Sequence, residues 1–74
     1  MNLVYSKSDC MQCDATFIVL DEAGVKYKVI KIDEDEEALA YVKSLGFASA
    51  PVVVPANKQI KPFCGFRPSL LITL

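Results

Sequence analysis

The spacing of hydrophobic positions changes along the chain and predicts an opening strand, helix and second strand. Residues 2–6 form a short apolar run typical of a buried strand. Residues 11–23 carry apolar side chains every three or four positions, which predicts an amphipathic helix ending at Gly24. Residues 26–32 return to a strand pattern, less apolar than the first. The apolar stripe of the predicted helix consists of Thr16, Phe17, Leu20 and Ala23.

A second helix is predicted from the acidic run at residues 33–37, because carboxylates are favoured in the first turn of a helix. The helical pattern covers residues 34–45, and Gly46 ends it. We interpret the acidic run as a solvated start of this helix. Its predicted apolar face consists of Ala38, Tyr41, Val42 and Leu45.

The last third of the chain predicts a hairpin and a short helix. Residues 51–54 are β-branched after a proline, and residues 55–57 suit a turn. Residues 59–63 then read as a second, antiparallel strand that Gly65 ends. Pro68 suits the first position of a helix running to about residue 74. The predicted order is β-α-β-α-β-β-α, an α/β class with the first two strands parallel.

Composition narrows the classes of protein further. The 74 residues suit one domain, residues 1–74, and 53% of them are hydrophobic. The net charge of −1 and the scattered basic residues give no reason to expect a nucleic-acid partner. No apolar run is long enough for a membrane span, and no leader pattern is visible. We therefore expect a cytoplasmic protein without a membrane partner, and a monomer.

Candidate chemistry centres on Cys10-Met11-Gln12-Cys13, placed between the first strand and the first helix. Cys10 falls at the helix N-terminus, where free backbone N–H groups and the helix dipole stabilise a thiolate. In such motifs the thiol pKa is lowered to roughly 3.5–7.5. We expect Cys10 to attack a partner disulfide and the less exposed Cys13 to resolve the mixed disulfide. The pair itself is the redox centre, and no other cofactor or metal is expected.

Two charged neighbours precede the pair. Lys7 could lower the pKa of the Cys10 thiol or guide an acidic partner, although a solvated loop lysine is an equally good interpretation. Asp9 would oppose the thiolate if its carboxylate pointed inward. We expect it to point outward or to cap the helix.

Three segments resemble the NrdH-redoxins in the right order and over nearly the whole chain. They are Cys10-Met11-Gln12-Cys13 preceded by Lys7, Ser49-Ala50-Pro51-Val52-Val53-Val54, and Gly65-Phe66-Arg67-Pro68. NrdH-redoxins are glutaredoxin-like proteins with a thioredoxin fold. The resemblance implies a four-stranded mixed sheet flanked by three helices. It also implies electron donation to class Ib ribonucleotide reductase and recycling by thioredoxin reductase.

The resemblance also implies roles for individual residues. Cys10 is the nucleophile and Cys13 the resolving thiol. Pro51 is cis, and Ala50 offers its backbone to an extended partner segment. Other residues expected at the partner-binding surface are Met11, Gln12, Gly65, Phe66 and Arg67. The chain departs from the family at Ser8, where proline is frequent, and at Phe63-Cys64, where Trp-Ser is usual.

Other functions remain open at this point. A glutathione-dependent glutaredoxin is one, but the Cys-Pro-Tyr-Cys, Thr-Val-Pro and Gly-Gly…Asp-Asp motifs are absent, so we expect no glutathione site. A metal-carrier domain also places CxxC after its first strand, although that fold runs β-α-β-β-α-β. A redox-inactive binding module and a zinc site using Cys10, Cys13 and Cys64 complete the alternatives.

Cys64 is a third cysteine with no place in the predicted mechanism. The simplest interpretation is an inert, half-buried thiol. A sharper hypothesis makes it an extra thiol near the redox pair, able to be glutathionylated or to bridge a dimer.

Overall fold

Four strands and three helices follow one another in the predicted order. The structure is a computed structural model that describes residues 1–74. The elements are β1 (Asn2–Ser6), α1 (Met11–Glu22), β2 (Tyr27–Lys31), α2 (Glu36–Ser44), β3 (Val52–Val54), β4 (Phe63–Cys64) and α3 (Pro68–Leu71). The order β-α-β-α-β-β-α is therefore confirmed.

The four strands form one mixed sheet in the order β2-β1-β3-β4. Strand β1 pairs in parallel with β2 and antiparallel with β3, with Val4 opposite Val29 on one side and Val53 on the other. Strands β3 and β4 form the predicted antiparallel hairpin, in which Cys64 pairs with Val52. The first strand is thus central and buried, and β2 lies at an edge with mostly exposed side chains. This explains why β2 is less apolar than β1.

Alternate side chains of the central strands enter two separate cores, because successive residues of a strand point to opposite faces. Val4 and Val53 pack with Leu20 of α1 and Leu71 of α3, together with Phe63. The other core lies against α2 and includes the two cysteines of the CxxC motif. Its buried members are Tyr5, Cys10, Cys13, Ile32, Ala38, Val42, Ala50 and Val52. Both cysteines of the CxxC motif therefore pack as members of this hydrophobic core.

The buried faces of the helices differ from the predicted stripes at two positions. Ala23 is exposed, because α1 ends at Glu22 and the chain reverses at Gly24, which has a φ of +68°. Such a positive φ is readily adopted only without a side chain. Tyr41 is also exposed, at 41%, although its ring lies against Tyr5 with centroids 5.5 Å apart. Thr16, Leu20, Ala38 and Val42 are buried as predicted.

The prediction of a strand at residues 59–63 is wrong, since β4 begins only at Phe63. The Asn57 side chain accepts the Gln59 N–H at 3.0 Å, and the Asn57 carbonyl accepts the Ile60 N–H at 3.1 Å. These bonds form a turn where the strand was expected. Pro62 also has no N–H to donate to a neighbouring strand.

The start of α2 and the end of α3 differ from their predicted positions by a few residues. Helix α2 begins at Glu36 because Asp35 is its N-cap and accepts the Ala38 N–H at 3.1 Å. The predicted start at residue 34 is therefore too early. Helix α3 ends at Leu71, before the predicted limit near residue 74. No helix of the protein has both the length and the apolar character needed to cross a membrane.

Tyr27 fastens the edge strand β2 to helix α1. Its ring stacks on Phe17 at a centroid distance of 5.8 Å, and its hydroxyl donates to the Asp21 carboxylate at 2.7 Å. Desolvation, followed by the bond to Asp21, raises the pKa of Tyr27 from 10.0 to about 12. The neutral phenol is thus the form that the folded state favours.

Tyr27 should make the stability of the fold depend on alkaline pH. Because the folded state raises its pKa, its contribution is complete below pH 10 and is lost as pH rises towards about 12. Urea unfolding across this range should show a steeper loss for the wild type than for Tyr27→Phe, which lacks the ionisable hydroxyl. Burial also raises the pKa of Tyr5. Because Tyr5 is present in both proteins, its contribution to the pH dependence cancels in the comparison. Equal slopes would contradict the assignment.

Candidate active site

The CxxC pair lies at the start of helix α1, just after the turn that follows the central strand β1. Cys10 is the N-cap of α1, and its Sγ accepts the backbone N–H of Cys13 at 3.1 Å. The two cysteines are joined as a disulfide, with Cα atoms 5.2 Å apart. The predicted position of Cys10 at the helix N-terminus is confirmed. The same N–H group that meets a sulfur in the oxidised form is positioned to stabilise a Cys10 thiolate.

The two cysteines differ in access to solvent. Cys10 is 8% exposed, whereas Cys13 is fully buried against the α2-side core. A partner sulfur can therefore approach Cys10 and not Cys13. This confirms that Cys13 is the less exposed thiol and agrees with attack by Cys10 followed by resolution from within the first turn.

The charged residues before Cys10 point into solvent. Asp9 is exposed and has a φ of +55°, and the helix cap is Cys10 and not the Asp9 carboxylate. The capping alternative for Asp9 is therefore wrong, and its outward position is confirmed. Lys7 is exposed and forms no salt bridge, so its effect on the Cys10 thiol stays a prediction.

A cis peptide bond joins Ala50 to Pro51 beside the disulfide. The carbonyl oxygen of Ala50 lies 3.9 Å from Cys10 Sγ, and both residues are buried. The cis bond expected from the resemblance is present, and it lies next to Cys10 although 40 residues separate them along the chain. This carbonyl is an acceptor within reach of a Cys10 S–H once the disulfide is reduced.

Two N–H groups of the loop after β4 donate hydrogen bonds to other parts of the site. The Gly65 N–H donates to the Pro51 carbonyl at 2.8 Å, and the Phe66 N–H donates to Gln12 Oε1 at 3.0 Å. Gly65 has a φ of +88°, and a Cβ there would lie 3.5 Å from Gln12 Oε1. Glycine therefore lets this loop turn towards the CxxC motif. Gln12 is therefore an exposed residue whose side chain also holds the loop after β4.

The exposed residues around Cys10 form an apolar rim. Met11 is 87% exposed, and Phe66 is 38% exposed. Arg67 is also exposed, but its Nε donates to the Cys64 carbonyl at 3.2 Å and so holds its own loop. The contact of Met11 and Phe66 with a partner stays a prediction, whereas Arg67 partly stabilises the loop.

Cys64 lies behind the cis-proline segment. Its Sγ is half-buried and lies 3.2 Å from Ser49 Oγ and 3.6 Å from the Ser49 carbonyl oxygen. The contact with Ser49 was not foreseen, because nothing in the spacing of the two residues indicates it. Cys64 thus supports the segment that carries Ala50 and Pro51.

The metal-carrier and zinc-site alternatives depend on the order of the elements and on where the candidate ligands lie. Nowhere in residues 1–74 do three or more His, Cys, Asp or Glu side chains come together as a group able to hold a metal ion. The strand and helix order also differs from the β-α-β-β-α-β order of a metal carrier.

A second unforeseen contact joins the two loops at the carboxyl ends of β1 and β2. The Ser8 N–H donates to the Asp33 carboxylate at 3.1 Å. The two residues are 25 positions apart, and only the parallel pairing of β1 with β2 could have indicated that they meet.

A reachable N-cap cysteine, a buried second cysteine one turn later and a facing cis-proline define a thiol–disulfide oxidoreductase with the thioredoxin fold. The sequence comparison agrees, since residues 2–61 match the glutaredoxin family. The chain belongs to this family and, within it, to the NrdH-type glutaredoxin-like redoxins, as the resemblance indicated.

Individual relatives support this assignment over the full length. The chain is 42% identical over 74 residues to the glutaredoxin-like protein NrdH of Lactococcus lactis subsp. cremoris, covering 100% of this chain and 99% of the relative. It is 31% identical over 68 residues to NrdH of Escherichia coli K12, covering 92% of this chain and 80% of the relative. The solved structure of the E. coli NrdH-redoxin superposes with a TM-score of 0.90 at 30% identity, covering 99% and 92% of the two chains.

Replacing Gln12 with alanine should loosen the loop after β4. The Phe66 amide loses its acceptor, so its hydrogen exchange should quicken roughly threefold to tenfold, as expected for the loss of one hydrogen bond. Nuclear magnetic resonance can follow this amide directly. Gln59→Ala is the matched control, because the Gln59 side chain is exposed and forms no hydrogen bond. Unchanged exchange in Gln12→Ala would contradict the tether.

Cys64 should react more slowly than Cys10 with iodoacetamide in the reduced native protein. Cys64 is half-buried and engaged by Ser49, whereas the Cys10 thiolate is stabilised at the helix N-terminus. Mass spectrometry of peptides can separate the two rates. Ser49→Ala should raise the rate at Cys64, and Ser69→Ala, at an exposed site without a contact to Cys64, should not. Equal labelling of Cys64 and Cys10 would instead favour the extra-thiol hypothesis.

Proposed function

We propose that the reduced protein donates two electrons to a disulfide of class Ib ribonucleotide reductase and is recycled by thioredoxin reductase. The observation that carries this proposal is the pairing of a reachable Cys10 with a buried Cys13 in a chain of the NrdH type. In this proposal the electrons travel on the two sulfurs alone, without another cofactor. The protein would act as a monomer in the cytoplasm, where thiols are kept reduced.

The reaction follows from the order in which the two sulfurs can act. The Cys10 thiolate attacks one sulfur of the partner disulfide, and the other partner sulfur leaves as a thiolate that takes up a proton. Cys13 then loses its proton and attacks Cys10 Sγ, which releases the second partner thiolate. The partner gains two electrons and two protons. The protein is left with the Cys10–Cys13 disulfide that the structure contains.

The surface beside Cys10 supports an extended partner segment. The Ala50 carbonyl lies 3.9 Å from Cys10 Sγ, and the rim residues Met11 and Phe66 expose apolar side chains on the adjoining segments. A partner segment that lies along Ala50 would bring its own disulfide over Cys10 while its apolar side chains contact this rim.

Recycling by a flavoprotein reductase is favoured over recycling by glutathione. The motifs typical of a glutathione site are absent from the sequence. The E. coli NrdH-redoxin, which superposes over nearly the whole chain, is described as having a thioredoxin-like activity profile. We extend that profile to this protein.

A coupled assay of NADPH consumption tests the reductase. The protein should reduce a model disulfide when supplied with thioredoxin reductase and NADPH, and should not do so with glutathione and glutathione reductase. Cys10→Ser should abolish turnover, since no nucleophile remains. Turnover with glutathione alone would replace the proposal with a glutathione-dependent glutaredoxin.

Trapping the mixed disulfide tests the partner. Cys13→Ser should accumulate a covalent complex between Cys10 and the class Ib ribonucleotide reductase, because resolution is blocked after attack. The experiment is best made in a Cys64→Ser background, so that no third thiol can substitute. Cys10→Ser in the same background is the control and should trap nothing. Absence of a complex for Cys13→Ser would contradict this partner.

A further inference from the structure

The Ser8–Asp33 contact lies directly before the attacking cysteine. Ser8 and Asp9 form the turn between β1 and the N-cap Cys10, and the Ser8 N–H donates to Asp33 Oδ2 at 3.1 Å. Asp33 comes two residues after the end of β2, in a different part of the chain. The bond therefore crosses between two loops and fixes a turn that has few other restraints.

The neighbouring backbone makes Asp33 a firm anchor. The Ile32 N–H donates to the Ser6 carbonyl at 2.8 Å, which continues the parallel pairing of β1 and β2 up to the residue before Asp33. Ile32 is itself buried in the α2-side core. The Asp33 carboxylate is thus held by a fixed backbone while it receives the N–H of a more exposed turn.

The turn needs such an anchor because of its conformation. Asp9 has a φ of +55°, a left-handed conformation that is uncommon for residues other than glycine. The direction of the chain at Asp9 decides whether Cys10 reaches the N-cap position, from which its Sγ accepts the Cys13 N–H. A turn free to leave this conformation would carry Cys10 away from the helix end.

We propose that Asp33 is a positioning residue, which holds the Ser8–Asp9 turn and thereby keeps Cys10 Sγ on the N-terminal N–H groups of α1. It acts through Ser8, whose N–H is its contact with the turn, and not through a hydrogen bond to either sulfur. The ionised carboxylate is the form that the contact stabilises, since the Ser8 N–H lowers the pKa of Asp33 below its usual value. The proposal concerns the Cys10 thiolate and is independent of which protein is the partner.

A positioning role for Asp33 and a purely electrostatic role predict opposite shifts in the pKa of the Cys10 thiol when the carboxylate is removed. Removing a negative charge from this edge of the sheet would by itself favour the Cys10 thiolate and lower the pKa of its thiol. Releasing the turn would separate the thiolate from the N–H groups that stabilise it and would raise the same pKa. The direction of the shift therefore decides between the two effects.

The experiment measures the rate of Cys10 alkylation against pH in the reduced full-length protein, with the labelled cysteine identified by mass spectrometry. In Asp33→Ala the profile should move upward by about half a pH unit, which is about a threefold loss of rate on its acid side. In Asp33→Asn, which keeps an acceptor oxygen without the charge, the profile should not rise. Thermal unfolding of each variant shows that the fold is retained at the assay temperature.

Glu34→Ala is the matched control. Glu34 is the next residue and also carries a carboxylate, but its contact is a salt bridge to Lys31 at 3.9 Å and not a bond to Ser8. Its removal should leave the profile unchanged or move it slightly downward. A rise for Asp33→Ala alone supports the proposal. An unchanged or lowered pKa in Asp33→Ala, or an equal rise in Glu34→Ala or Asp33→Asn, overturns it.

Discussion

Cys10 occupies the one place in the fold where a sulfur is both reachable and met by the free N–H groups of a helix. Its Sγ accepts the Cys13 N–H at 3.1 Å, and this contact exists because the short turn after the central strand β1 places Cys10 at the N-cap of α1. A thiolate is the reactive form of cysteine, and the helix N-terminus stabilises it. The other parts of the site are arranged around this position.

Three separate segments converge on Cys10, and the sheet order explains why they do. Strand β1 has β2 on one side and β3 on the other, so the segments that flank these strands meet at the same edge. Pro51 precedes β3 and brings Ala50 within 3.9 Å of Cys10, while Asp33 follows β2 and reaches Ser8. The loop after β4 joins them through the bond from Gly65 to Pro51. The oxidoreductase site is therefore a product of the parallel and antiparallel pairing of β1.

Much of the fold could be predicted because its elements carry strong local patterns. The central strand, the two longer helices and the glycines that follow them were all predicted, and the CxxC motif indicated the chemistry directly. The strand predicted at residues 59–63 failed because the Asn57 side chain and Pro62 impose a turn there, and polar side-chain bonds of this kind compete with strand pairing. The exposure of Tyr41 was missed because helical spacing shows which residues share a face but not how far the covering layer extends.

The sequence by itself determined which two cysteines form the redox pair, since their spacing and their position at the start of a helix are local properties. It also carried, through the resemblance of three short segments, the family to which the chain belongs. Only the tertiary structure decided that Gln12 binds the Phe66 N–H, that Ser49 engages Cys64, and that Asp33 holds the turn before Cys10. These contacts join residues 15 to 54 positions apart, and no local pattern encodes them. They arise when the strands pair and their ends come together at one edge of the sheet.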